Sequence, residues 1–295
     1  MLNSVIVTHR DRPKSLAVFL RSFEIAAQHS DPDDFEIIIA DLNSKSPCDE
    51  IAERFSRKFK FRFLKIKYDK IFWKTKALNY CVRESRGDFI TMLDIDSLVP
   101  PMFLYHIREF YSDPKHKRKK LAYRVCYLFP DQVKYVTSHE NFDEYYIRKN
   151  IVALYPNYRF ARERFMVDGK MVRQDPKFKI KKIPEHWYRK YVLGNSHHTV
   201  SRDAILSIGG WNEKFKGHGL EDVEYNIRLF RHIQNGTLER GGEFVVYHIT
   251  HDRDQKRWDI LANRNKNRIE CHRVRDNPEI CVLKKGEDWG VFPEG

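Results

Sequence analysis

Two hydrophobic patterns alternate along the first hundred residues. Short apolar-rich runs, "SVIVT" from Ser4, "FEIIIA" from Phe35, "FRFLKI" from Phe61 and "GDFITML" from Gly87, have the length of strands, and the β-branched "SVIVT" has the content of a buried one. Between them apolar residues recur at three- and four-residue spacing: Leu16, Phe19, Leu20 and Phe23 after Pro13, then "IAERF" from Ile51, then Ala77, Leu78, Cys81 and Val82. That spacing predicts helices with one apolar face, and the fixed φ of Pro13 suits a helix start. Strands alternating with helices predict right-handed βαβ units, an α/β fold with a mostly parallel central sheet. Ligands of such sheets bind beyond the carboxyl ends of the strands. Three of those ends are polar here: "THRDR" from Thr8, "DLNS" from Asp41 and "DIDS" from Asp94.

From about Glu109 to Arg189 the periodicity fails. A basic run, "SDPKHKRKK", leads into a stretch rich in Tyr, Phe, Lys and Arg, which reads as an insertion packed on the sheet. Order returns at "YVLGNSHHTVSRDAILSIGGWNEKF", with a short helix at Arg202 to Ile208. "GLEDVEYNIRLF" then predicts an amphipathic helix and "GGEFVVYHITH" a last strand, ahead of a charged tail. The organisation expected is one domain over 1–252, made of a first half (1–108), an insertion (109–189) and a second half (190–252), followed by the tail (253–295).

Composition narrows the partner. With 54 basic and 41 acidic residues the net charge is +13, which points to nucleic acid, a membrane surface or a phosphorylated substrate. The five cysteines are widely spaced without a C-x-x-C pair, so neither a disulfide framework nor a zinc knuckle is indicated, and a reducing cytoplasm fits. No apolar stretch approaches the length of a membrane span, and no signal peptide is expected. Peripheral attachment at the inner face of a membrane through basic surface stays open.

Candidate chemistry sits at the strand ends. Asp94 and Asp96 would face one side if the strand continued through them, offering oxygens to a hard divalent cation; equally, one of them could cap the next helix. His248 and His251 follow the last strand three residues apart. With Asp96 they would form a mixed N/O site for Mn²⁺ or Zn²⁺. Glu221 and Asp222 open a helix, where acids complement the macrodipole, but "GGW" and "GHG" just before them are costly unless the backbone needs φ > 0 or close approach. Trp211 beside such carboxylates suits stacking on a pyranose. Arg10, Arg12, Lys74 and Lys76 offer charge to a diphosphate, and no G-x-G-x-x-G or P-loop is present to do so instead.

Together "SVIVTHRDR", "IIIADLNS" and "KALNYCVRESRGDFITMLDIDSLVPP" resemble the family-2 nucleotide-sugar glycosyltransferases of the GT-A fold. "GGWNEKFKGHGLEDVEYNIRLF" with "HITHDRDQKR" is similar to the C-terminal module of the β-1,4-galactosyltransferases and bacterial polysaccharide synthases. The resemblance covers about two thirds of the chain, without the insertion. It implies a metal-dependent, inverting transfer of Gal, GalNAc, Glc or GlcNAc from a UDP-sugar to a glycan or glycoconjugate hydroxyl, with Mn²⁺ or Mg²⁺ as cofactor. It also implies Asp222 as base with Glu221 orienting the substrates, Asp96, His251 and His248 as metal ligands, and Thr8, Arg10, Arg12, Asp41, Lys76, Asp94 and Trp211 around the donor. Two departures are His218, where these families carry tryptophan, and Gly194–Asn195 in place of a Gly-Gly pair. A basic nucleic-acid-binding protein is the competing class, and carboxylates clustered at strand ends argue against it. A non-catalytic sugar-binding relative is the third reading, although both acids and the metal residues are present.

Overall fold

A computed structural model describes residues 1–45, 47–127, 154–155, 164–167, 170–173, 197–217, 219–233, 244–249 and 258–293. The expected α/β order is present: β1 (Asn3–His9), α1 (Pro13–Ala27), β2 (Phe35–Asp41), α2 (Cys48–Ser56), β3 (Arg62–Lys65), α3 (Lys74–Glu84) and β4 (Phe89–Met92). Next come β5 (Ser97–Leu98), α4 (Phe103–Ser112), β6 (Leu121–Ala122) and β7 (Arg124–Tyr127), then the short strands β8 (Leu154–Tyr155), β9 (Arg164–Val167) and β10 (Lys170–Arg173). The second half supplies β11 (His198–Ser201), α5 (Arg202–Ser207), α6 (Glu221–Ile233), β12 (Val245–His248) and α7 (Trp258–Asp276).

The main sheet has the order β3-β2-β1-β4-β11-β6. β1, β2, β3 and β4 are parallel, and β11 runs antiparallel to β4. A second sheet, β5-β12-β7-β8, carries the chain beyond the carboxyl end of β4. Residues of one strand alternate between faces, and both faces of the inner strands are covered, so β1, β2 and β4 are largely apolar, whereas the edge strand β3 carries Arg62 and Lys65 and is only partly buried. Val5, Val7, Ile37 and Ile39 pack against Leu16, Phe19 and Phe23 of α1 and Phe103 and Ile107 of α4. Ile6, Ile38, Ala40, Ile90 and Met92 face Leu78, Cys81 and Val82 of α3, with Ile205 and Tyr225 beyond.

The segment expected to be a charged tail packs, where it is described, on the body of the domain. α7 runs through it, and Trp289 and Phe292 pack on the α3 side of the core. Gly210 lies at φ +68°, where a Cβ would meet the Trp289 ring at 2.6 Å, so only glycine lets the final segment close here. The sequence signal of the tail is its charge. Its two aromatic anchors, thirteen and sixteen residues beyond the helix, have no period around them to flag burial. The insertion expected over 109–189 likewise starts inside the fold, because β6 joins the main sheet and β7 pairs with β12. Among the described residues no helix is long and apolar enough to cross a membrane.

Candidate active site

Three parallel strands deliver their polar ends to one edge, as the sequence predicts. At the end of β1 and β2, the buried His9 Nδ1 meets Asp41 Oδ1 at 2.7 Å. Ser44 adds its backbone N–H to Oδ2 at 3.1 Å and its hydroxyl to Oδ1. Burial pushes the Asp41 carboxyl up, but these hydrogen bonds outweigh it and hold the group below the usual carboxylate range. Asp41 is fully buried; its charge holds His9 and the 41–44 turn together. Arg10 donates from Nε to Leu42 O and from its two Nη atoms to Lys70 O and Tyr68 O, each at 2.6 Å. It therefore ties the loops that follow β2 and β3. Thr8 is also buried.

The D-x-D does not continue the strand. β4 ends at Met92, Ser97 N–H closes a turn on Asp94 O at 3.0 Å, and the turn sends the two carboxylates to different partners. Asp96 Oδ2 receives Arg12 Nη1 at 3.0 Å, and Asp96 Oδ1 lies 3.3 Å from His248 Nε2. The backbone makes the same link, with Ile249 N–H donating to Asp96 O at 2.8 Å. Asp94 Oδ1 lies 3.0 Å from Lys74 Nζ at the start of α3, and Asp94 Oδ2 lies 3.9 Å from His197 Nε2. Burial lowers His197 to a pKa of about 4, so it is neutral at pH 7, with Nε2 on the Ser97 hydroxyl at 2.7 Å.

Lys74 also joins the second half of the chain to the first. The same ammonium lies 3.7 Å from Glu221 Oε1 and 3.7 Å from Asp222 Oδ2. Burial disfavours its charge, but the three carboxylates outweigh that and hold it well above the ordinary lysine range. The approach of α6 depends on the turn before it. Gly217, Gly219 and Leu220 all have positive φ, at 72°, 115° and 69°, and Glu221 Oε2 accepts the Gly219 N–H at 2.8 Å. Glycine removes most of the strain of this left-handed run, which explains the glycines the sequence places there. Glu221 thus closes its own turn, while Asp222 keeps its side chain 26% exposed. Its Oδ1 has no hydrogen-bond partner among the described residues. Burial first, then the like charges of Glu221 and Asp94, raise Asp222 to about 7 against the pull of Lys74 and Lys120.

Two residues expected at the donor lie elsewhere. Trp211 is 1% exposed and stacks on Tyr225 at 4.4 Å and 5°, so its face is occupied by the core and it is not a platform for sugar. Lys76 points to the opposite side of α3 from Lys74, where Nζ reaches Glu213 Oε2 at 2.7 Å and Asp288 O at 3.0 Å. Asn79 continues that seam with three 2.8 Å bonds to Trp211 O, Trp211 N and Glu213 Oε1. The seam bolts the 211–217 loop to α3 and so fixes where α6 begins. His197 and Lys120 were missed by the sequence reading: one sits in the "NSHHT" run and the other ends a basic run, and nothing local distinguishes either. His251, His218, Gly194 and Asn195 lie outside the described residues. Among the described residues no three His, Cys, Asp or Glu converge as a complete metal cage. Asp96 with His248 is a two-residue N/O donor pair of the kind a borderline divalent ion accepts when ligand oxygens supply the rest.

Residues 4–166, more than half of the chain, match the family described as "Glycosyl transferase family 2". The chain belongs to glycosyl transferase family 2. Two curated relatives are a hyaluronan synthase of Pasteurella multocida, 24% identical over 78% of this chain, and a validoxylamine A glucosyltransferase of Streptomyces hygroscopicus subsp. limoneus, 22% identical over 87% of it. The matches span only 23% and 53% of those proteins' own lengths. Among solved structures, S. aureus TarS 1–349 in complex with UDP superposes with a TM-score of 0.60 at 12% identity, covering 97% of this chain and 68% of that one. A mannosyltransferase from Pyrobaculum calidifontis in complex with GDP-Man and Mn²⁺ gives 0.55 at 12% identity, over 95% and 67%. At these identities the likeness is one of fold, and it agrees with the GT-A architecture expected from the strand and helix order.

Proposed function

We propose that this member of family 2 is an inverting glycosyltransferase that moves a hexose (Gal, GalNAc, Glc or GlcNAc) from a UDP-sugar to a hydroxyl of a glycan or glycoconjugate. The observation that carries the reading is Lys74, one ammonium within 3.7 Å of the D-x-D carboxylate Asp94 and of the acid pair Glu221 and Asp222. It joins the expected donor edge to the expected catalytic helix start, across a sequence separation no local motif accounts for.

In this reading the Asp222 carboxylate accepts the acceptor hydroxyl proton as the oxygen attacks the anomeric carbon and the bond to the diphosphate breaks. A base with a pKa near the working pH suits that task. One displacement inverts the anomeric centre and needs no covalent enzyme intermediate. Glu221 holds the turn that aims Asp222, and the neutral His197 orients Asp94 beside the donor. Asp96 and His248, joined by His251 as the family resemblance implies, would hold a Mn²⁺ or Mg²⁺ ion. When bound, such an ion neutralises charge on the departing diphosphate. Arg12, next to Asp96, adds a second positive group on that side. The 190–252 half would serve as the galactosyltransferase-like acceptor half, and the basic surface suits attachment to an anionic membrane face in the cytoplasm. TarS, which shares the fold, has been solved with UDP and with UDP-GlcNAc, which supports a uridine donor; the GDP-Man complex of another neighbour makes the nucleotide the point to test first.

Calorimetric titration with UDP and with GDP, each with Mn²⁺ and then with EDTA, tests this. Binding of UDP that is lost in EDTA and in Asp96→Ala is expected. Preference for GDP, or UDP affinity unchanged by chelation, would contradict the donor or the metal assignment respectively.

A further inference from the structure

We infer that Lys120 acts on the transfer reaction through Asp222, as a buried cation that favours the ionised, proton-accepting form of that carboxylate. The inference rests on the reading of Asp222 as the base. Lys120 ends the basic run "SDPKHKRKK" just before β6, and is 0% exposed. Its Nζ donates a hydrogen bond to Asn226 Oδ1 and lies 5.6 Å from the centre of the Phe230 ring. Asp222, Asn226 and Phe230 follow one another at four-residue spacing on α6, so they form one stripe of the helix, and the amine lies along it.

A fully buried lysine is expensive unless something faces it. Burial lowers Lys120 to about 7, and the charge opposing that shift is Asp222. In return Lys120 is among the groups that pull Asp222 down. The other charges facing Asp222 are Lys74 from α3, Asp94 from the turn after β4, and Glu221 from its own helix. Lys74 is already shared among three carboxylates, which leaves Lys120 as a second cation on the inner side of the base. Tyr225, which interacts with Asp222 and has His198 of β11 stacked on it, is itself pushed further from ionisation by burial. It adds no charge near pH 7.

Lys120 does not touch substrate, so it is a positioning residue, and the measurement that separates this from a packing role is the pH profile. The turnover of the full chain is followed from pH 5.5 to 9.5 for the parent, Lys120→Met, Lys120→Gln and Lys120→Arg, with folding checked by circular dichroism. Loss of the cation is expected to move the acid limb of the profile to higher pH by about one unit, while the plateau rate at high pH stays within about threefold. Lys120→Gln keeps a donor for Asn226 without the charge and serves if the Met variant does not fold; Lys120→Arg should keep the limb in place. An acid limb unmoved in the neutral variants, or a plateau lost without a shift, overturns the inference. Asp222→Asn assayed in parallel separates the two claims. Parental turnover there overturns the base assignment itself, whereas an inactive Asp222→Asn beside an unshifted Lys120→Gln overturns only the role of Lys120.

Discussion

Replacing Lys74 by Met keeps the aliphatic stem and removes one ammonium from the middle of three carboxylates. The structure fixes the size of the effect. At 3.0 Å from Asp94 and 3.7 Å from Glu221 and Asp222, each attraction is about 5 kcal/mol at an effective dielectric of ~20, and the desolvation of the ammonium opposes their sum. Asp94 and Asp222 keep 27% and 26% of their side-chain exposure, so water screens part of the loss. The net penalty should then fall at ~2–4 kcal/mol, near the lower part of the range for breaking a buried ion pair. It should also depend on pH. The folded-state pKa of Asp222 is raised above its ordinary 3.8 to about 7. The stability this group contributes is therefore complete below the unfolded value and lost as pH rises through 7. Removing Lys74 moves that window further alkaline, so the variant keeps losing stability where the parent has stopped. Urea unfolding at pH 6 and pH 8.5 should show a penalty larger by about 1.4 kcal/mol at the higher pH for each unit by which Asp222 is raised. A penalty below ~1 kcal/mol and equal at both pH values would mean that Lys74 is an ordinary solvent-screened bridge, and the coupling of the two halves would fall with it.

Two other substitutions test the frame around the site. Asn79→Ala breaks three hydrogen bonds between α3 and the 211–213 segment and should lower unfolding free energy by ~2–4 kcal/mol, with turnover falling more than UDP affinity; a fall in affinity alone would show that this seam does not set α6. Arg10→Ala leaves three carbonyls without their donor and should lower the thermal midpoint by several degrees, since ~2 kcal/mol corresponds to such a shift; an unchanged midpoint with weakened UDP binding would return Arg10 to direct donor contact.

Most of the fold was legible in the sequence because the period of burial changes with each element. The runs at Val5, Ile37 and Phe89 are apolar on both faces, and the structure covers both faces. The polar strand ends were legible for the same reason: a charged residue directly after a buried run must lie at an edge. What escaped were contacts made across the sheet. Lys74 and Lys76 are two residues apart on one helix, so they point to different sides, and sequence offered no way to choose the one that meets Asp94, Glu221 and Asp222. Trp211 looked like a sugar platform because it borders glycines and carboxylates, yet those glycines let Trp289 and the turn before α6 approach. The final segment, read as tail, completes the packing behind α3 through two aromatic rings that carry no periodic signal.

In the proposed reaction Asp222, at the start of α6, takes the proton from the acceptor hydroxyl. Asp222→Asn keeps the shape and an accepting oxygen but cannot be protonated by the hydroxyl, so it separates catalysis from binding. Single-turnover transfer from a saturating UDP-sugar to acceptor, measured at pH 8 where the parental carboxylate is ionised, is expected to slow about 10²-fold or more, with UDP affinity and thermal midpoint close to the parent. Transfer at the parental rate would contradict the account and place the base elsewhere.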